Sequence, residues 1–353
     1  MPPAPLITTL TEAARKAAEA FPEPPGARGA GPGPGTEILA ARPDGTVVRH
    51  GPVVAKAHAP DTDPAELDAR LAIAAHPLLH GVLLAPLEPR PPHTPGTAPG
   101  PTPITPPITL WPHGTPVDPT DPDNAPWPEA GHLVARLHRV PLDALPGPLP
   151  AMRGPAKAAR AVARMRSAGV QGAAAEAVTR AWAQLPAWAR AEAPHSTPTP
   201  APADGTARLC HGDLHLGQLV RLDRPVRLDR PLHPVPPVQH PADRNWLLID
   251  VDDLGLGDPA WDLARPAAWY AAGLLAPEDW SRFLGAYRDA GGPAVPPQGD
   301  PWPQLDVPAR ALTVQTAALA LAKCARDRRE PDEAELAMIE SCTRIAALPP
   351  RLP

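Results

Sequence analysis

The densest run of reactive side chains in the sequence is His211-Gly212-Asp213-Leu214-His215-Leu216-Gly217-Gln218. Short apolar stretches flank it, Arg208 to Cys210 and Leu219 to Leu222, so it reads as a functional loop held between two strands. Further on, Leu247-Leu248-Ile249-Asp250 is an apolar strand that runs straight into a carboxylate. Val251-Asp252-Asp253 follows, and then Gly257-Asp258-Pro259-Ala260-Trp261-Asp262-Leu263-Ala264. Acids at the end of apolar strands are costly unless metal ions or donors partner them. Oxygen ligands without a Cys/His set favour Mg²⁺ over Zn²⁺. Magnesium beside a carboxylate base is the apparatus of phosphoryl transfer, where positioning and charge neutralisation do most of the work.

The elements that must carry these residues change character along the chain. Glu37 to Arg42, Thr46 to Arg49 and Pro52 to Ala57 are short strands separated by the turn signals Pro43-Asp44-Gly45 and His50-Gly51. Asp63-Pro64-Ala65-Glu66 opens a helix that runs to about Ala75, with a cap, a proline in the first turn and Glu three residues after the cap. Val82 to Ala85 and Ile108 to Trp111 complete an expected five-stranded sheet. From residue 129 onward helices dominate, expected over 129–139, 155–168, 173–190, 259–272, 277–290, 306–326 and 331–347. Strands first and helices afterwards give an α+β architecture in two lobes, with domains at 1–113 and 114–353.

The motif pair resembles the aminoglycoside phosphotransferase family, small-molecule kinases with the bilobed protein-kinase-like fold. Its members read H-G-D-x-x-x-x-N, then I-D, then G-D-P-x-x-D-L-A. Here the same order runs from His211-Gly212-Asp213 through Ile249-Asp250 to Gly257-Asp258-Pro259 and Asp262-Leu263-Ala264. Gln218 stands where the family has a metal-binding Asn; the string is closest to actinobacterial maltokinases and glucosamine kinases, where Gln is usual. The resemblance implies an ATP- and Mg²⁺-dependent kinase of a small-molecule hydroxyl: a sugar, an amino sugar or an aminoglycoside. Asp213 would receive or orient the hydroxyl proton, Asp250 and Gln218 would hold the metal, and His211 and Asp262 would brace the loop. Lys56, at the end of Val53-Val54-Ala55-Lys56, would hold the nucleotide phosphates, with Glu66 as its ion-pair partner and Asp68 competing. Ile108 to Pro112 would be the hinge that meets the adenine.

Two other classes compete. Asp213-Leu214-His215 also matches the Asp-x-His of two-metal phosphoesterases, though Gly257-Asp258-Pro259 stands where those need Gly-Asn-His. A kinase-like module that binds nucleotide without transferring phosphate is the other. Elsewhere the residues read as structural. Arg153, Lys157, Arg160 and Arg164 form a basic helical stripe on a solvated face, or a dock for an anion. Trp182, Trp188, Trp261, Trp269 and Trp280 read as packing residues; His76, His132 and His138 as ordinary helix residues; Cys210 as a small apolar one. Glu278 and Asp279 are acids that an ammonium-bearing substrate would meet.

Composition bounds the rest. The chain has 353 residues, a net charge of −5, 58 Pro and 3 Cys. A mildly acidic total argues against a nucleic-acid binder that relies on a basic field. The first twenty residues, which carry Glu12, Arg15, Lys16 and Glu19, lack a signal peptide's apolar region, and no run reaches a membrane span. Cys210, Cys324 and Cys342 form no CxxC, which fits reduced thiols in a cytoplasmic protein. Lysine is rare (Lys16, Lys56, Lys157 and Lys323) while Arg, Ala and Pro abound. The prolines cluster at 22–34, 89–107, 194–202, 231–241 and 293–303, marking loops. An insertion at 223–244 separates the two motifs, expected either to leave the active-site side or to lie across it as a flap.

Overall fold

A computed structural model describes residues 3–20, 35–42, 45–87, 106–192, 206–222 and 246–349. The insertion at 223–244 lies outside these residues, as does most of the proline segment at 89–107. The chain begins with α1 (Ala4–Ala20), β1 (Thr36–Arg42), β2 (Gly45–His50), β3 (Val53–His58) and α2 (Pro64–Ala74). It continues through β4 (Ile108–Pro112), β5 (Thr115–Pro116), α3 (Trp127–His138), α4 (Gly154–Ser167), α5 (Ala173–Ala183), β6 (Arg208–Cys210) and β7 (Leu219–Arg221). Next come β8 (Trp246–Leu248), β9 (Gly255–Gly257), α6 (Ala260–Ala271), α7 (Pro277–Asp289), α8 (Trp302–Asp327) and α9 (Glu333–Ala346). Two compact units emerge, and neither is a single stretch of chain. The first comprises Met1–Val117, Leu145–Pro148 and Leu219–Asp252; the second comprises Asp118–Ala144, Leu149–Gln218 and Asp253–Pro353.

The first unit is built on an antiparallel sheet in the order β1-β2-β3-β4. Successive side chains on a strand face opposite ways, and this alternation sorts β3. Val53, Ala55 and Ala57 are buried against α1, whose Leu10, Ala14 and Ala17 recur at helical spacing along one stripe. Val54, Lys56 and His58 therefore take the other face. The sequence reading did not anticipate α1, because alanine supplies two of its three buried positions and leaves the apolar period faint. The expected fifth strand does not form either. Leu83 makes only an isolated parallel bridge to Leu248, and the Leu84 N–H donates to the Leu248 carbonyl at 2.9 Å, so this stretch joins the small β5-β7-β8 sheet.

The second unit is helical around α8, which packs against α4, α5, α6 and α9, while α3 packs on α7. Tyr270, Trp280 and Trp302 stack with centroids 5.5–6.5 Å apart and knit α6, α7 and α8 together. The helix expected over 173–190 stops at Ala183, and a 3₁₀ turn takes Ala187–Arg190. Pro186 is the reason: it has no N–H to donate and disfavours the α conformation at Leu185. Conversely α8 starts at Trp302 rather than 306, since Pro303 fits the first turn of a helix. The short strands β6 and β9 pair antiparallel, and β6 leads directly into the functional loop. Among the described residues no helix is long and apolar enough to cross a membrane.

Candidate active site

In the first unit, Lys56 leaves β3 on the face away from α1. Its Nζ lies 2.7 Å from Asp250 Oδ1 and 2.9 Å from Asp252 Oδ2. Burial alone would lower the Lys56 ammonium, but the two carboxylates together outweigh it and hold the group above its ordinary value. Asp252 also meets the buried His58, whose Nδ1 is 2.8 Å from Asp252 Oδ1 and whose Nε2 is 2.8 Å from Thr109 Oγ1. Against the upward push of burial, Lys56 and His58 hold Asp252 well below the usual carboxylate range. Asp250 sits at φ +66°, a left-handed conformation that Asp tolerates better than most residues. Its carboxylate accepts the Asp252 N–H at 3.4 Å, closing the tight turn that follows β8.

Lys56 and Asp250 are thus brought together, whereas Glu66 goes elsewhere. Asp63 caps α2 as expected, accepting from Ala65 N at 2.8 Å. The half-exposed Glu66 carboxylate turns along the helix to the buried Arg70, 2.9 Å away and one turn on.

In the second unit, the His211–Gln218 loop is held from beneath. Asp262, in the first turn of α6, is fully buried. It accepts the backbone N–H of His211 at 2.6 Å and of Gly212 at 2.7 Å. It is also 3.0 Å from His138 Nε2. His138 Nδ1 in turn meets the Tyr287 hydroxyl at 2.8 Å, and that oxygen accepts the Ala294 N–H at 2.8 Å. Burial pushes the Asp262 carboxyl up, but His138 and the loop amides more than offset this and keep it below its ordinary value. Asp262 therefore braces the loop through backbone amides, with His138 as its side-chain partner. The His211 ring lies 3.4 Å from the Asp213 N–H. Asp258 accepts the N–H of Ala260, the first residue of α6, at 2.9 Å.

Gly212 carries φ +84°, and a Cβ there would collide with the Asp253 carbonyl. Gly212→Ala is therefore expected to destabilise the protein by about 1–3 kcal/mol from backbone strain alone. Urea denaturation measures this, and a midpoint equal to wild type would contradict it.

Asp213 itself is flanked by cations. Its Oδ2 lies 2.7 Å from Lys157 Nζ and its Oδ1 2.5 Å from Arg265 Nη2. Burial would raise its pKa, yet Lys157 and Arg265 hold the carboxyl at about 2, below its ordinary 3.8. Lys157 simultaneously contacts Asp253 Oδ2 at 2.7 Å. Burial, with Arg265 next, pushes neighbouring His215 down to about 4, so its ring is neutral at neutral pH. Gln218 ends a short 3₁₀ turn and is nearly buried. The sequence reading missed Lys157, Arg265, His58 and His138 as site residues, and assigned Asp252 and Asp253 no role beyond that of acids in need of a partner. Lys157 does not belong to a solvated stripe. The signal that it differs was its type, since this chain uses arginine for almost all its cations.

No family model matches the sequence, and no curated protein matches it. Solved structures do. A choline/ethanolamine kinase family protein from Mesorhizobium loti is similar over 97% of this chain and 96% of its own, with TM-score 0.50 and 16% identity. A thermostable mutant of the aminoglycoside phosphotransferase APH(4)-Ia gives TM-score 0.53 at 12% identity, over 94% of this chain and 98% of that one. Choline kinase from Cryptosporidium parvum Iowa II gives 0.53 at 9% identity, over 95% of each chain. The chain has the protein-kinase-like fold. Within this fold, an α+β arrangement with a small antiparallel sheet and a helical remainder, both reactive segments sit where strands end: Asp250 just after β8 and Asp213 just after β6.

Proposed function

We propose that the chain is an ATP- and Mg²⁺-dependent phosphotransferase acting on a hydroxyl of a small molecule. The observation that carries this reading is Asp213, kept ionised on a loop that Asp262 locks through its backbone. Lys56 binds nucleotide phosphates, and Asp213 orients the acceptor hydroxyl. The acceptor oxygen bonds to the γ-phosphorus as the bond to the bridging oxygen of ADP breaks, and the hydroxyl proton passes by way of Asp213 to solvent. A carboxyl with a pKa of about 2 is a weak base, so its work is alignment, with the proton leaving late.

Asp250 in the first unit and Gln218 in the second each offer a hard oxygen donor, the kind that magnesium takes. When bound, that ion would neutralise charge on the phosphates. A dinuclear phosphoesterase centre fits less well. Cations already occupy both oxygens of Asp213 and would repel a metal there. Among the described residues, the group close enough to share an ion is His138, Cys210 and Asp262, which is buried and already hydrogen-bonded.

The acceptor is best read as a neutral sugar or an amino sugar. Around Asp213 stand Lys157 and Arg265, with Arg153 3.8 Å from Asp253. A polycationic aminoglycoside would meet these cations beside Asp213. Asp279, one of the acids expected to meet an ammonium group, is already bonded to Arg282. Buried, unpaired Cys210, Cys324 and Cys342 fit a cytoplasmic setting. The test is ADP release from Mg·ATP across neutral sugars, amino sugars and aminoglycosides. Release stimulated by a sugar supports the reading; tight ATP binding with no release from any acceptor would favour a nucleotide-binding module instead.

A further inference from the structure

Lys157 projects from α4 to a point between two carboxylates of its own unit. Its Nζ is 2.7 Å from Asp213 Oδ2 and 2.7 Å from Asp253 Oδ2. Arg265, from α6, takes the other oxygen of Asp213 at 2.5 Å. Each oxygen of Asp213 thus has its own cation, supplied by a different helix. Asp253 is anchored in turn: its carbonyl accepts the Arg153 N–H at 3.2 Å, and the Arg153 side chain approaches its carboxylate. The side chains of Lys157, Asp213, Asp253 and Arg265 retain only 26%, 16%, 10% and 15% of their exposure, so water screens these contacts weakly.

We propose that Lys157 is a positioning residue for Asp213: its ammonium, seated between Asp213 and Asp253, holds that carboxylate from α4 while Arg265 holds it from α6. The proposal rests on the phosphotransfer reading for its catalytic meaning. The choice of lysine in an arginine-rich chain has a physical reason. A compact ammonium with three donors can bridge two carboxylates of separate segments, whereas a planar guanidinium pairs preferentially with one. Against the downward push of burial, Asp253 and Asp213 hold the Lys157 ammonium above its ordinary value, so the bridge stays charged throughout the physiological range.

Among the described residues, the groups facing Asp213 are Lys157 from α4, Arg265 from α6, and His215 and His211 from its own loop, with Asp253 beyond Lys157. His215, held at about 4, is neutral at neutral pH, which leaves the two cations to set the ionisation of Asp213. Because the folded-state value of about 2 lies below the ordinary 3.8, the clamp contributes stability that is present above 3.8 and lost as pH falls toward 2.

The experiment is a pH titration of the Asp213 carboxyl carbon by NMR, assigned by its loss in Asp213→Asn, in wild type, Lys157→Met and Lys157→Arg. ADP release is followed on the same proteins. In Lys157→Met the Asp213 midpoint is expected to rise by about 1–3 pH units, and the acid limb of turnover to rise with it. In Lys157→Arg the midpoint should stay low while kcat falls with nucleotide KM unchanged, because charge is kept and the bridge is not. A structural tie alone would lower the melting temperature without moving either pH curve. Should Lys157→Met fail to fold, Lys157→Gln carries the same test. A folded, uncharged variant whose Asp213 titrates as in wild type would overturn the proposal. If the midpoint rises as expected but wild type releases no ADP with any acceptor, Lys157 keeps its electrostatic role and phosphotransfer is what fails.

Discussion

Asp213→Asn is expected to reduce turnover about 10²–10⁴-fold while leaving ATP affinity close to wild type. The substitution preserves shape and removes charge, so a carboxylate that accepts the acceptor hydroxyl becomes an amide that offers a donor on one side. Lys157 and Arg265 then each lose an anionic partner. The nucleotide should be affected little, because Lys56 takes its own counter-ions from Asp250 and Asp252. Coupled ADP release reports kcat, and isothermal titration with Mg·ATP reports affinity. Wild-type turnover in Asp213→Asn would remove Asp213 from the mechanism. Equal losses of turnover and affinity would point to collapse of the loop rather than loss of one functional group.

The largest stability effect is expected at Asp262. Asp262→Ala should cost about 3–5 kcal/mol, since it leaves a buried network without its central acceptor. Its carboxylate satisfies three donors at once, the N–H groups of His211 and Gly212 and the Nε2 of His138. Asp262→Asn keeps the shape but turns one acceptor oxygen into an NH₂, which then faces an N–H. One loop amide loses its bond, at about 1–3 kcal/mol. Urea denaturation with coincident fluorescence and circular dichroism measures both. Because the loop is braced through its backbone, Asp262→Asn should also lower turnover beyond what stability explains. A variant as stable as wild type would mean that the His138 side reorganises to replace it.

How much of this was legible beforehand differs from element to element. The strands β2 and β3 and the capped start of α2 were readable because alternation and capping are local: Asp63 and Pro64 act on residues within one turn. Glu66 shows the limit. Its position after the cap suited both a box with Asp63 and a pair with Lys56, and the structure joins it to Arg70 on its own helix. The expected partner on α2 was a statement about how two elements pack, which spacing within one of them cannot supply. His138 shows the same limit. It sits in a regular amphipathic helix, and only the approach of α6 and α7 turns it into the link between Asp262 and Tyr287.

Readable from the sequence alone was the order of the candidate residues: a lysine on an early strand, His211-Gly212-Asp213 after one later strand, and Asp250 after another. The sequence also determined the class of elements that carry these residues, because side-chain period and proline placement act over a few residues. Tertiary structure alone decided the charges these groups feel. Lys56 meets Asp250 across 194 residues, Lys157 meets Asp253 across 96, and Arg265 meets Asp213 across 52. Coulombic attraction falls with distance in space and is indifferent to separation along the chain, so no spacing rule encodes such pairs. The ionisation of Asp213, on which the proposed reaction depends, is therefore set by Lys157 and Arg265 from two helices, and only the choice of lysine at 157 marks this in the sequence.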